Sequence, residues 1–153
     1  MGKLIRILVV DDDESIRTVL KTILEDEGYV VDVAENGKEA IEKTNSIFYN
    51  LALIDVRLPD MDGTELLDAI KETTPKMIKI IITGYPTLKN AVEAVNKNAD
   101  GYIIKPLNIE NFLKTLKKHL QKYDEAKKYS VDKVAEFIEN RAKELGRIPQ
   151  PHK

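Results

Sequence analysis

Three aspartates in this chain stand where apolar runs stop: Asp11 and Asp12 after Leu8-Val9-Val10, and Asp55 after Leu51-Ala52-Leu53-Ile54. Two further runs end on polar groups, Ile80-Ile81-Ile82 on Thr83 and Tyr102-Ile103-Ile104 on Lys105-Pro106. A carboxylate at the end of a buried strand costs desolvation energy unless a cation or hydrogen bonds compensate it. If the runs are neighbouring strands of a parallel sheet, the acids, a hydroxyl and an ammonium gather at one edge. Such a set suits a divalent metal ion together with a phosphoryl group.

The elements that must position these residues follow from the hydrophobic pattern. Ile5 to Val10 is apolar without alternation, as in a strand covered on both faces. Ile16, Val19, Leu20, Ile23 and Leu24 then recur at helical spacing, and Gly28 stops the run as a C-terminal cap. Strand composition returns at Tyr29 to Ala34, and Gly37 to Thr44 reads as a short helix. Leu51 to Ile54 is the third strand. The turn formers from Pro59 to Gly63 precede a helix carrying Leu66, Leu67 and Ile70. Met77 to Ile82 is the fourth strand, 87–98 a helix marked by Ala91, Val92 and Val95, and Tyr102 to Ile104 the fifth strand. Strands separated by single helices require parallel pairing through right-handed crossovers, so the class is α/β, doubly wound. Ligands of such sheets sit beyond the carboxyl ends of the strands.

After Pro106 the pattern is wholly helical. Asn108 suits an N-cap, and Ile109, Phe112, Leu113, Leu116 and Leu120 form a stripe expected to pack on the sheet. The stripe thins to Tyr123, Ala126 and Tyr129. Ser130 is then expected to cap another segment bearing Val131, Val134, Ala135, Ile138, Ala142 and Leu145, which Gly146 and two later prolines end. His119 lies one residue off the stripe without an acid beside it, the pattern of a solvated helix residue.

Composition narrows the function. At 153 residues and 42% hydrophobic content, one domain plus an extension is expected. The absence of cysteine excludes disulfides and thiolate metal sites. No apolar run approaches a membrane span, and the start lacks a signal-peptide stretch, so a soluble cytoplasmic protein is expected. Residues 1–107 carry a net charge of -6 and residues 108–153 one of +4. The acidic first part argues against nucleic-acid binding there, and the charges of the tail alternate in sign as on a solvated helix.

Taken in order, Val9-Val10-Asp11-Asp12, Asp55 with Leu58-Pro59-Asp60-Met61-Asp62-Gly63, Thr83-Gly84 and Tyr102-Ile103-Ile104-Lys105-Pro106 resemble the receiver domain of two-component response regulators, the CheY-like family. The resemblance covers residues 4 to about 122, dividing the chain into a receiver domain over 1–122 and a helical extension or linker over 123–153. It implies a flavodoxin-like five-stranded sheet of order 2-1-3-4-5. It further implies that Asp55 is a phosphoacceptor, taking a phosphoryl group from a phosphohistidine on a sensor kinase or phosphotransfer protein. Chemistry agrees: an ionised carboxylate can act as nucleophile. Mutual repulsion among Asp11, Asp12 and Asp55 calls for a divalent cation, and oxygen ligands suit magnesium, with manganese as a substitute. In the family pattern Asp12 is the direct metal ligand, Asp11 acts largely through water, and the backbone carbonyl of Arg57 also ligates.

By the same resemblance Lys105 pairs with Asp55 or with a phosphoryl oxygen, Thr83 offers its hydroxyl to the phosphoryl group, and Gly84 keeps access open. Pro106 would follow a cis peptide that aims Lys105 into the site. Movement of Thr83 would let Tyr102 turn inward and alter the face made by the fourth helix, fifth strand and fifth helix. Arg57 and Tyr85 border the site and are expected to set phosphoryl lifetime. Asp13, beside Glu14, suits a helix cap instead.

Two other functions compete with a phosphorylation-controlled switch. A metal-dependent phosphohydrolase would need an acid/base aspartate two residues beyond the nucleophile, where this chain has Arg57. A receiver fragment whose output domain lies elsewhere would use the last helix as a linker; a dimerisation segment and an extra helix folded on its own domain are the other two accounts of that helix. A helix-turn-helix needs more chain than the segment after Ser130 provides, so direct DNA binding is not expected.

Overall fold

The computed structural model describes residues 4–145, and the side chains of all of these except 123, 125–131, 144 and 145. Five strands alternate with five helices: β1 Arg6–Val10, α1 Glu14–Asp26, β2 Val30–Ala34, α2 Gly37–Ser46, β3 Leu51–Asp55, α3 Gly63–Ala69, β4 Ile78–Thr83, α4 Leu88–Asn96, β5 Gly101–Ile104 and α5 Ile109–Leu145. The strands form one parallel sheet of order β2-β1-β3-β4-β5. The chain divides into two compact units, Met1–Thr115 and Leu116–Lys153.

The central strands are the apolar runs of the sequence, and each is buried throughout: Ile7 to Val10, Leu51 to Asp55 and Ile78 to Thr83. Strands covered on both faces have no solvent side on which polar residues could alternate. Register follows from that burial. Val10 pairs with Ile54, Ile54 with Ile81, and Asp55 with Ile82, so β1, β3 and β4 stop at nearly one level. Asp11, Asp12, Asp55 and Thr83 are therefore at one edge because their strands are in step.

Local signals set the helix starts. Asp13 caps α1, accepting from the N–H groups of Ser15 and Ile16, Asn36 caps α2, and Thr87 caps α4. After α1 the chain turns through Gly28, whose φ of +92° favours glycine. Asn108 accepts from the N–H of Asn111 at 3.0 Å, as a cap for α5 should.

The helix α5 differs from expectation. It runs unbroken from Ile109 to Leu145, through Ser130, where a new segment was expected. No glycine or proline interrupts 109–145, and a mid-helix serine costs only a fraction of a kcal/mol, about 0.5. Phe112, Leu116 and Leu120 are buried, whereas Val134, Phe137 and Ile138 are exposed. The expected apolar side chains of Tyr123, Ala126, Tyr129, Val131 and Leu145 lie outside the described ones, and the stop at Gly146 lies outside the described residues.

Candidate functional site

Beyond the carboxyl ends of β1, β3 and β4 lies a cavity of about 570 Å³. Asp11, Asp12, Asp13 and Asp55 line it together with Ile16, Arg57, Gly84, Tyr85 and Lys105. Asp11, Asp12 and Asp55 each offer a carboxylate oxygen, and the three oxygens lie within 4.8 Å of one another.

Asp11 is the most firmly held of the three. Its Oδ1 accepts from the N–H of Asp13 at 2.9 Å, and its Oδ2 accepts from Lys105 Nζ at 2.9 Å. Its backbone carbonyl accepts from Arg17 Nη1 at 2.7 Å, while the same guanidinium reaches Glu35 at 3.7 Å. Asp12 is exposed, turned toward solvent at the mouth. Asp55 is buried but poorly compensated: its Oδ1 is 3.4 Å from the N–H of Arg57 and its Oδ2 is 3.7 Å from Lys105 Nζ.

Lys105 therefore sits closer to Asp11 than to Asp55, and the electrostatics follow. Burial pushes the Asp55 carboxyl up to about 6, and the Asp11 charge beside it adds to the rise. Lys105, the Arg57 N–H and Asp12 act more weakly, the first two lowering and the last raising. Three carboxylates facing one ammonium leave a negative surplus in a partly desolvated cavity. A divalent cation would relieve it, and the hard oxygen donors suit such an ion.

The remaining expected residues divide between the cavity and the core. Gly84 and Tyr85 line the cavity, and a Cβ at Gly84 would lie 3.8 Å from Lys105 Cδ, an ordinary contact. The guanidinium of Arg57 stacks 4.0 Å over the Tyr85 ring. Thr83 is fully buried, and its hydroxyl accepts from the N–H of Tyr85 at 3.0 Å. Tyr102 packs against the core cluster, with its hydroxyl buried and without a hydrogen-bond partner among the described residues. The Lys105-Pro106 peptide is cis.

Three residues at the site have roles that the sequence did not assign: Arg17, and Asp60 and Gly63, which read only as part of a turn and of the family motif. Arg17 looks like any helix cation, and only the fold brings it to the Asp11 carbonyl. Asp60 accepts from the N–H groups of Gly37 and Lys38 at 2.8 and 2.9 Å, joining the loop after β3 to the start of α2. Gly63 has the sharpest constraint: a Cβ there would stand 2.1 Å from the Asp55 carbonyl oxygen. Its N–H donates to the Val56 carbonyl at 2.7 Å, so the loop closes tightly beneath Asp55.

Comparison with known proteins agrees with this geometry. The family model for the response regulator receiver domain matches residues 7–117. The transcriptional regulatory protein ZraR of Klebsiella oxytoca is 41% identical over 119 residues, which cover 78% of this chain and 27% of that protein. This chain thus spans about a quarter of the length of that relative. Among solved structures, a CheY-like receiver domain protein from Methanospirillum hungatei is 45% identical with a TM-score of 0.78, covering 81% of this chain and 99% of that one. The response regulator TrrA from Thermotoga maritima, in complex with Mg(2+)-BeF, is 36% identical with a TM-score of 0.67, covering 75% and 98%. The chain belongs to the response regulator receiver domain family of two-component signalling.

Proposed function

We propose that Asp55 is the phosphoacceptor of this chain, and that its phosphorylation by a sensor histidine kinase or phosphotransfer protein controls partner binding. The observation that carries the reading is Asp55 itself: buried at the edge of the sheet, open to a cavity, and left with only long contacts at 3.4 and 3.7 Å. A carboxylate held without close partners keeps a lone pair available for attack. An Asp55 oxygen forms a bond to phosphorus as the P–N bond of the phosphohistidine breaks, and the electron pair leaves with the imidazole nitrogen, which takes a proton.

Asp11, Asp12, Asp55 and the Arg57 carbonyl would hold magnesium, with manganese as a substitute. When bound, the ion supplies positive charge against the negative oxygens of the transferring group. The other roles belong to side chains. Lys105 needs only a small movement from Asp11 to pair with a phosphoryl oxygen. Thr83 can exchange its bond from the Tyr85 N–H for a phosphoryl contact, a change that Tyr102 beside the core can follow. The Arg57–Tyr85 stack at the mouth sets how readily water reaches the phosphoryl group.

The chain is a switch whose chemistry is confined to its own phosphorylation and dephosphorylation, and it acts in the cytoplasm. Its receiver domain occupies 1–122 and the extension 123–153 links it to an output partner or to a second copy. The length of ZraR supports the reading as the receiver part of a longer regulator. No helix among the described residues is long and apolar enough to cross a membrane.

Incubation with acetyl phosphate and magnesium should add one phosphoryl group to the protein and none to Asp55→Ala, read by intact mass. An unmodified native chain, or an equally modified variant, would overturn the assignment.

A further inference from the structure

Thr64 is 1% exposed, and its hydroxyl donates to Glu93 Oε2 at 3.1 Å. The two residues belong to different helices, α3 and α4. A buried hydroxyl without a partner would cost free energy, and the Thr64 hydroxyl is closed to water although Glu93 is partly exposed. Farther along the same pair of helices, Lys97 Nζ meets Asp68 at 3.3 Å, but the Asp68 side chain there is largely exposed and the pair correspondingly weak. The Thr64 bond, whose donor is buried, is the stronger tie.

Its position gives it reach. Thr64 follows Gly63, which has no room for a side chain beneath the Asp55 carbonyl and whose N–H closes the loop on Val56. A shift of the Asp55 backbone therefore has to move Gly63, and with it Thr64. At the other end, α4 turns Ala94 into the core and leaves Leu88, Val92 and Val95 exposed. Glu93 sits between these faces, half-buried.

We infer that the Thr64–Glu93 hydrogen bond couples the loop around Asp55 to α4, with Glu93 acting as a positioning residue for that loop through Thr64. The coupling takes a different path from any route through Thr83 and Tyr102, because it runs from the end of β3 through Gly63 into α3. Coupling free energy is reciprocal. A change on α4 must loosen or tighten the loop, and a change at Asp55 must reach α4. This second direction rests on Asp55 being the phosphoacceptor; the first does not.

The experiment has two arms. In the native, unphosphorylated protein, amide hydrogen exchange at Gly63 reports the loop closure. Glu93→Ala and Thr64→Val should speed it by about tenfold, the loss of one hydrogen bond to a charged acceptor. Glu93→Gln and Thr64→Ser, which keep an acceptor and a donor, should leave it near the native rate. Unchanged exchange in Glu93→Ala or in Thr64→Val overturns the coupling, as does equal acceleration in the conservative variants. In the second arm, acetyl phosphate and magnesium are added and the amide shifts of 88–96 are followed by NMR, with phosphoryl uptake read by mass. Thr64→Val should take up the group yet lose most of the α4 response, and Thr64→Ser should retain it. A native chain that takes up no phosphoryl group overturns the acceptor assignment, while the first arm still decides the coupling.

Discussion

The two ends of the sheet use polar side chains in opposite ways. At the amino ends of the strands, the N–H of Arg6 donates to Asn50 Oδ1 at 2.9 Å while the N–H of Asn50 donates to the Arg6 carbonyl at 2.8 Å. Lys79 and Asp100 repeat the exchange: the N–H of Lys79 donates to Asp100 Oδ2, and the N–H of Asp100 to the Lys79 carbonyl. The buried Lys79 amine donates to the Leu67 carbonyl at 3.0 Å, and Tyr49 donates to Asp32 at 2.6 Å. Burial and the bond to Asp32 hold the Tyr49 phenol protonated well above its ordinary range. At the carboxyl ends, Lys105 bonds Asp11 at 2.9 Å and reaches Asp55 only at 3.7 Å, while Asp12 is exposed. The first end closes each polar group with a partner and contributes stability; the second leaves charge uncompensated and keeps capacity for a ligand.

The comparison breaks most visibly at Gly63, where loop closure and acceptor meet. A methyl group 2.1 Å from the Asp55 carbonyl cannot be relieved by moving a flexible side chain, because the obstacle is backbone. Gly63→Ala is expected to destabilise the fold by about 3 kcal/mol. Chemical denaturation reads the loss, and phosphoryl uptake by whatever remains folded should fall too. An alanine variant of native stability would show that the loop has slack.

At Asp55 the opposite sign is expected. With its carboxyl pushed up to about 6, the folded state keeps a proton between about pH 4 and 6 that the unfolded chain releases. Stability therefore falls as pH rises through that window, and above it the ionised group carries a constant penalty. Asp55→Asn should remove this penalty, raising stability of the metal-free protein at pH 7 by about 2 kcal/mol and by almost nothing near pH 4. Denaturation in a chelator at both values tests it. A loss of stability at pH 7 would mean that the carboxylate is better compensated than its long contacts imply. Added magnesium should shrink the difference, since it stabilises the aspartate form alone.

The amino end supplies the control. Asn50→Ala leaves the Arg6 N–H without its side-chain acceptor and should cost about 1–2 kcal/mol. Phosphoryl uptake per folded molecule should be unchanged, because no polar contact of Asn50 leads toward the cavity. A variant with normal stability and impaired uptake would reverse the division between the two ends.

Much of this arrangement was legible in the sequence, and the reason is the way in which parallel strands are buried. Each central strand is a continuous apolar run, so the first polar residue after it marks the edge, and Asp11, Asp55 and Thr83 were placed by counting alone. Capping by Asp13 and Asn108 was legible because it depends on neighbours two or three positions away. What was not legible depends on packing between distant elements. Lys105 meets Asp11 across 94 positions, and no local pattern distinguishes that partner from Asp55. The Thr64–Glu93 bond, across 29 positions, is of the same kind, whereas the Arg17 bond to the Asp11 carbonyl and the closure at Gly63 are short-range loop contacts that hydrophobic periodicity does not reveal. Ser130 misled for the converse reason: its preference for helix starts is a weak local bias, and a long run without glycine or proline overrides it.

Asp60 provides the finest test of the comparison, because it stands at the carboxyl end yet behaves like a residue of the amino end. Its carboxylate takes both N–H groups at the start of α2, and those two bonds, Gly37 first, hold it below the usual carboxylate range. A depressed carboxyl contributes stability above its unfolded value and loses it as pH falls through the lower folded one. Fully exposed to water, it should contribute little. Asp60→Asn is therefore expected to lower the melting temperature slightly at pH 7, with the difference vanishing in strong acid, and to leave phosphoryl uptake intact. Impaired uptake at native stability would move Asp60 into the acceptor machinery. Normal uptake would place Asp60, whose carboxylate is filled by two backbone N–H groups, with the fold, and leave the acceptor chemistry to Asp55, whose contacts are long.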